Sequence, residues 1–297
     1  MRPFNTVSSC LLQKGAVLPL TLIILAILSI LAMTLSQRAA GYLDTAVDYK
    51  KQWQAELTIH NAEQRVLLTL IAGDFKPGRI DIGNTRLPIY GKPYKLSNGV
   101  MVKVQDEAGI LNILHARQKD VISLFRNLGY GTVSASLAAE AFAWQNPSSN
   151  YTSSDNARGF PYRSQDEFLE LTQMKPELFN GRGHNALAIK DYLLAAGPGW
   201  LNYAAMPEVI LRSVMSVKQE ELQQINTLRE RGRWRELEMM MRRLGMYGDG
   251  LEFTPSPNFV VNYEVDGFRA KGNYKLVTAS HVLFEKRIWQ FPDQDRF

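Results

Sequence analysis

The chain holds one cysteine, Cys10, in 297 residues. No disulfide framework can be built from it, and a fold without one must be held by packing, ions or partners. The thiol is also misplaced for a lipoprotein signal, because the apolar run follows it instead of preceding it. Histidine is almost as scarce: His60, His115, His184 and His281 are dispersed. There is no HExxH pair for zinc and no G-x-S-x-G elbow for a nucleophile, and Gly197-Pro198-Gly199 lacks the lysine and the length of a phosphate loop. The chain is therefore expected not to be an enzyme, with no catalytic residue, no cofactor and no metal ligand assigned. Low-complexity segments and internal repeats are missing too, and the 45% apolar content is that of a folded protein. The length allows roughly one to two globular domains.

Charge of one sign never dominates. The net charge is only +5, and the basic residues concentrate in Arg229-Glu230-Arg231-Gly232-Arg233-Trp234-Arg235 and Arg242-Arg243, with glutamates between them. A basic patch with aromatics can hold phosphates, but alternating signs on a helix describe a solvated face, so nucleic acid is not expected as a partner.

What the sequence does have is one long hydrophobic run. Gln13-Lys14-Gly15 is followed at once by AVLPLTLIILAILSILAMTLS, and no charge occurs between Ala16 and Ser36. At about 1.5 Å per residue this run can cross the roughly 30 Å hydrocarbon core of a bilayer. Pro19 falls in the first turn, where its missing N–H costs little. Arg2 and Lys14 would keep the short N-terminus in the cytoplasm. The run can be read as an uncleaved signal anchor, or as a helix retained after a cut in front of it.

From Gln37 to Ile71 there is no proline and no glycine after Gly41, so the helix can continue. Leu43, Val47, Trp53, Leu57, Val66 and Leu70 form a broken apolar stripe at helical spacing, expected to lie on a sheet. Gly73 and Pro77 then stop the helix. Strands are expected over Lys92–Leu96 and Gly99–Gln105 around a Ser97-Asn98-Gly99 turn, because VMVKVQ alternates apolar and polar residues. Helical patterns follow in HARQKDVISLFRNLG and SASLAAEAFAWQ, with a polar loop from Asn146 to Phe160. Ser164-Gln165-Asp166-Glu167 reads as a capping box before FLELTQM. Further helices are expected over Pro207–Val217, Gln219–Glu230 and Trp234–Leu244. After Gly250 the period returns to two, with strands over Phe259–Val265, Phe268–Thr278 and Val282–Gln290 and a hairpin at Asp266-Gly267. The flanking strands are expected to pair across an inserted helical block.

The order basic residue, glycine, long apolar helix resembles the leader of type IV prepilins and type II secretion pseudopilins. That resemblance implies cleavage by a prepilin peptidase between Gly15 and Ala16, a methylated new N-terminus and retention of the helix in the inner membrane. Family members inside a filament carry glutamate at the fifth mature position; here that position is Leu20. A buried carboxylate without a partner is costly, so an apolar residue suits a subunit with no neighbour above it. The K-type minor pseudopilin is the member that lacks this glutamate. Three more strings are similar to it: VQDEAGILNIL with Asp106, Glu107, Gly109 and Asn112; YRSQDEFLELTQM; and GPGWLNYAAMPEVILRSV with Asn202, Ala205 and Pro207.

The resemblance covers nearly the entire chain. It implies an α+β fold, in which a long pilin-like helix packs on a small antiparallel sheet interrupted by a large all-α insertion. The expected boundaries are a leader over 1–15, a transmembrane helix over 16–37 and its periplasmic continuation over 38–72. A sheet domain follows from 73–108 and 251–297, with the helical insertion over 109–250. The implied role is a tip subunit that initiates or caps a pseudopilus in protein export. Its implied partners are other minor pseudopilins, with the secreted substrate or the outer-membrane secretin as further candidates. A minor pilin at the tip of a type IV pilus or competence filament is the alternative. One departure concerns metal: where the family shows a D-W-x-D string, this chain has Ala143-Trp144-Gln145-Asn146. Calcium needs several oxygen ligands. Asn146, Asp155, Asn156, Asp166, Asp249 and Glu252 are candidate oxygens, but loop polarity explains them as well and none is assigned.

Overall fold

The computed structural model describes residues 17–145, 158–181, 187–246, 251–277 and 282–292. The first element among the described residues is α1, Val17–Ala72, one 56-residue helix. It ends where the Gly73 amide closes on the Thr69 carbonyl at 2.9 Å. The chain divides into two units, Met1–Gln54 and Ala55–Phe297. In the first, every side chain from Leu18 to Lys51 is exposed. In the second, Ala55, Ile59, Ala62, Val66, Leu67 and Leu70 recur at helical spacing and are buried.

Three short strands follow: β1, Asp74–Lys76; β2, Arg79–Ile82; and β3, Thr85–Pro88. They form an antiparallel sheet in that order. The sequence pattern did not suggest it, because strands of three or four residues in a charged stretch carry no usable alternation. It contributes Ile80 and Leu87 to the core, with Phe75 packed against that core. Next come β4, Tyr90–Lys95, and β5, Met101–Asp106, on either side of the expected turn. Val102 and Val104 point inward from β5.

The inserted segment starts with a 3₁₀ turn over Glu107–Gly109 and β6, Leu111–Asn112. It continues through α2, Gln118–Phe125, and α3, Ser134–Gln145. Then come α4, Pro176–Phe179, and β7, Leu193–Leu194, which pairs with β6 in parallel. The segment closes with α5, Glu208–Ser213; α6, Gln219–Arg231; and α7, Trp234–Arg243. Among the described residues its regular elements are thus helical apart from one two-residue ladder. Its core includes Phe125, Leu137, Phe168, Phe179, Ile210, Ile225 and Leu237. Gly232 ends α6 in the left-handed region (φ 67°), where a residue with a Cβ would be strained.

The expected capping box at Ser164 is not formed. Gln165–Glu170 is a 3₁₀ helix and Ser164 makes no side-chain cap. Glu167 is drawn away, accepting from the Arg163 amide at 3.1 Å and pairing with Arg158.

The chain returns to the sheet of β4 and β5 in β8, Asn258–Val265; β9, Phe268–Leu276; and β10, Phe284–Gln290. The five strands lie in the order β10-β9-β8-β5-β4, and β5 pairs antiparallel with β8 across the whole insertion. Asp266 (φ 50°) and Gly267 (φ 82°) make the expected hairpin. Phe259, Val261, Tyr263, Ala270 and Tyr274 face the stripe of α1 and complete one core. Each large apolar side chain buried there contributes about 1.5–3 kcal/mol. The fold is α+β, with the helix on an antiparallel sheet that a mostly helical segment interrupts.

Candidate functional site

Two features organise this molecule: an exposed apolar helix surface and a buried polar junction. On α1, Leu18, Leu20, Leu22, Ile23, Leu25, Ile27, Leu28, Ile30, Leu31 and Leu35 are all exposed. The helix is long and apolar enough to cross a membrane, by length and composition. Leu20 therefore offers an apolar surface, and Gly15 and Ala16 lie outside the described residues.

The anticipated stripe is split. Val66 and Leu70 are buried on the sheet, whereas Leu43, Val47, Trp53 and Leu57 are exposed. The helix turns about 100° per residue, so Leu57 and Leu68 stand about 200° from Ile59, Val66 and Leu70. They cannot reach the sheet that covers those residues. The second unit thus carries an exposed apolar side that its own sheet leaves uncovered.

The junction is centred on Asp106, the last residue of β5, which is fully buried. Its carboxylate accepts from the Ala108 amide at 2.9 Å and from Asn202 Nδ2 at 2.8 Å. It also accepts from the Ser256 amide at 3.2 Å and from Ser256 Oγ at 2.6 Å. The Asn202 amide donates in turn to the Ala108 carbonyl at 2.7 Å. Burial pushes the Asp106 carboxyl up to about 6 even against these donors. Burial likewise raises Glu107, to about 7, with Arg287 opposing.

Gly109 lets Ala205 approach, since a Cβ there would stand 2.2 Å from the Ala205 carbonyl oxygen. That same oxygen accepts from Gln105 Nε2 at 3.0 Å, and Ala205 itself belongs to the sheet core. Asn112 donates to the Gly197 and Pro198 carbonyls at 3.1 and 3.2 Å and accepts from the Leu114 amide at 3.0 Å. Pro207 precedes α5 as its cap residue. Residues from strings almost a hundred positions apart thus form one polar joint between the insertion and the sheet.

The chain is similar in structure to a chain of the GspK-GspI-GspJ complex of the type 2 secretion system from enterotoxigenic Escherichia coli. The sequences are 13% identical, the match covers 83% of this chain and 98% of that one, and the TM-score is 0.45. Such a likeness is too weak to assign a family. No protein-family model matches the chain, and no curated protein does.

The basic stretch is not one solvated face. Arg229 is 1% exposed, and its Nη2 donates to the Tyr203 and Met206 carbonyls at 3.2 and 3.0 Å. Burial lowers its pKa to about 10. Arg233 pairs with Glu236, and Arg242 with Glu238. Of the candidate calcium oxygens, Asp166 is exposed on the 3₁₀ helix, and Glu252 is buried against Arg242 at 3.0 Å. Asn146, Asp155, Asn156 and Asp249 lie outside the described residues.

Sequence reasoning missed Ser256, Gln105, Arg229 and Glu63. Glu63 is buried in α1 and binds Tyr274 Oη at 2.7 Å, Lys286 Nζ at 2.6 Å and His60 Nδ1 at 2.9 Å. The ring of His60 stacks on Trp289 at 5.2 Å. A signal for Glu63 existed: it occupies the core position of the series Ile59, Glu63, Val66, Leu70, where a lone carboxylate needs donors from elsewhere. No comparable pattern marked Ser256.

Proposed function

We propose that this chain is a non-catalytic minor pseudopilin of a type II protein secretion machinery, placed at the pseudopilus tip, where it initiates or caps assembly and supports export across the outer membrane. The observation that carries the reading is the division of labour along α1. One continuous helix exposes an uninterrupted apolar surface at its N-terminal end and packs into a sheet core at its C-terminal end. A helix used in this way anchors a domain in a bilayer and then serves neighbouring helices.

Leu20 supports a terminal position, because it offers no carboxylate to the amine of a subunit above it. The inserted segment, rooted between β5 and β8, adds bulk that would obstruct further stacking. In this reading prepilin peptidase cuts between Gly15 and Ala16, the helix stays in the inner membrane as a single span, and the remainder is periplasmic. The partners are other minor pseudopilins along the uncovered side of α1, and the secreted substrate or the secretin through the insertion. No cofactor is assigned.

The test is N-terminal sequencing of the chain from cells with and without prepilin peptidase. The expected mature start is Ala16 only where the peptidase is present. A start at Met1 in both would overturn the reading.

A further inference from the structure

A cavity of about 140 Å³ opens beside the C-terminal end of α6, lined by Arg79, Arg86, Tyr90, Lys92, Arg229 and Glu230 together with a second tyrosine and two prolines. Four cations and one carboxylate meet there, against walls of tyrosine and proline. The deepest cation, Arg229, is incompletely satisfied. Its guanidinium lies 4.5 Å from the centre of the Tyr90 ring, and while Nη2 binds two carbonyls, Nε and Nη1 have no hydrogen-bond partner.

A buried guanidinium with no carboxylate hydrogen-bonded to it is costly, and the carboxylates near it bond elsewhere, Glu208 acting on Arg229 only through space. Glu208 accepts from Asn226 at 2.7 Å, Asp81 pairs with Arg79, and Glu230 pairs with Lys92 at the rim. Arg86 is exposed and makes no ion pair among the described residues. Positive potential is thus in excess at a concave, partly apolar place.

We propose that this cavity docks the carboxylate side chains of an acidic segment of a partner protein. The carboxylates would meet Arg86 and Lys92 at the mouth, with Arg79 and Arg229 supplying charge from behind. Size argues for a side chain, since small-molecule pockets usually run to roughly 300–1,000 Å³. Arginine's planar fork suits a carboxylate, and the tyrosine and proline walls suit the peptide that carries it. Glu230 already sets a carboxylate on Lys92, so the rim accepts that group and Glu230 competes with any incoming one. The proposal stands on the cavity alone and does not depend on the filament reading.

The test is fluorescence anisotropy of labelled hexaglutamate with the full chain in detergent, with unlabelled hexaglutamine, inorganic phosphate and chloride at matched ionic strength as competitors. Arg86→Ala is expected to weaken binding by about tenfold or more, as befits loss of a charge-assisted contact. Glu230→Gln is expected to tighten it, and Lys119→Ala, an exposed cation on α2, to leave it unchanged. Circular dichroism would check that each variant is folded. Equal affinity for wild type and Arg86→Ala overturns the proposal, as does equal weakening by Lys119→Ala, which would mean diffuse attraction. Displacement by phosphate where chloride has no effect would reveal a small-anion site and also overturn it.

Discussion

Asn202 donates its side-chain amide to the carboxylate of Asp106 at 2.8 Å, joining residues 96 positions apart inside the protein. One comes from the end of a sheet strand and the other from a turn deep in the insertion. The bond locks the place where the two parts meet, together with the Ser256 amide and hydroxyl on the returning chain.

Removing that acceptor should be severe. Asp106→Ala strands the Ala108 and Ser256 amides and the Asn202 side chain in a dry place, and the expected cost is about 2–4 kcal/mol. Asn202→Ala should cost less. The double variant should fall short of the sum by at least about 0.5 kcal/mol, because the two share one bond. Denaturant melts of the full chain in detergent measure all three, and strict additivity would mean that the joint is not cooperative.

The same joint makes stability depend on pH. Asp106 and Glu107 are raised by burial from 3.8 to about 6 and from 4.5 to about 7, so the folded protein holds these protons more tightly than the unfolded chain does. Their stabilising contribution is complete below the ordinary values and disappears as pH rises through the folded ones. The melting temperature of the full chain should fall between about pH 4 and pH 7. In Asp106→Asn that slope should be shallower, and an unchanged slope would acquit Asp106.

Gly109 and Gly41 offer a paired test. Alanine at Gly109 would place its Cβ 2.2 Å from the Ala205 carbonyl oxygen, so backbone must move and the loss should exceed about 3 kcal/mol. Alanine at Gly41 meets nothing within 4 Å and sits in a helix, where it should gain about 0.5–1 kcal/mol of helical stability. Thermal melts followed by circular dichroism would separate the two.

The two sides of α1 should respond differently to truncation. Ile59→Ala opens a hole in the sheet core and should cost about 2–5 kcal/mol. Trp53→Ala and Leu57→Ala remove exposed side chains and should change stability by less than about 0.5 kcal/mol. On the filament reading those two should nonetheless reduce co-purification with other minor pseudopilins severalfold. Retained co-purification would remove that side of the helix from the interface.

Much of the architecture was legible because its signals are periodic. The alternation of Val100, Val102 and Val104 and the Asp266-Gly267 pair indicated strands that the structure has. The apolar stripe of α1 was visible but assigned to one surface, because residues four apart are neighbours whichever partner covers them. The small sheet between Asp74 and Pro88 was not visible, being too short to alternate. At the junction, Asp106, Gly109, Asn112 and Asn202 stand in recognisable strings, yet the meeting of Asp106 with Asn202 and Ser256 is tertiary and no local pattern encodes it. Arg229 looked like its exposed neighbours because composition does not say which arginine of a cluster turns inward.

The pairing of β5 with β8 also sets a timetable. Asp106 cannot meet Ser256, 150 positions later, until the whole insertion has been synthesised. Until then β5 presents an unpaired backbone edge and the side chains of Val102 and Val104, a combination that invites association with other chains. The newborn protein therefore carries an open strand for as long as its insertion takes to emerge. The apolar cluster of the insertion, once packed, draws its two ends together and so shortens the search of one edge for the other.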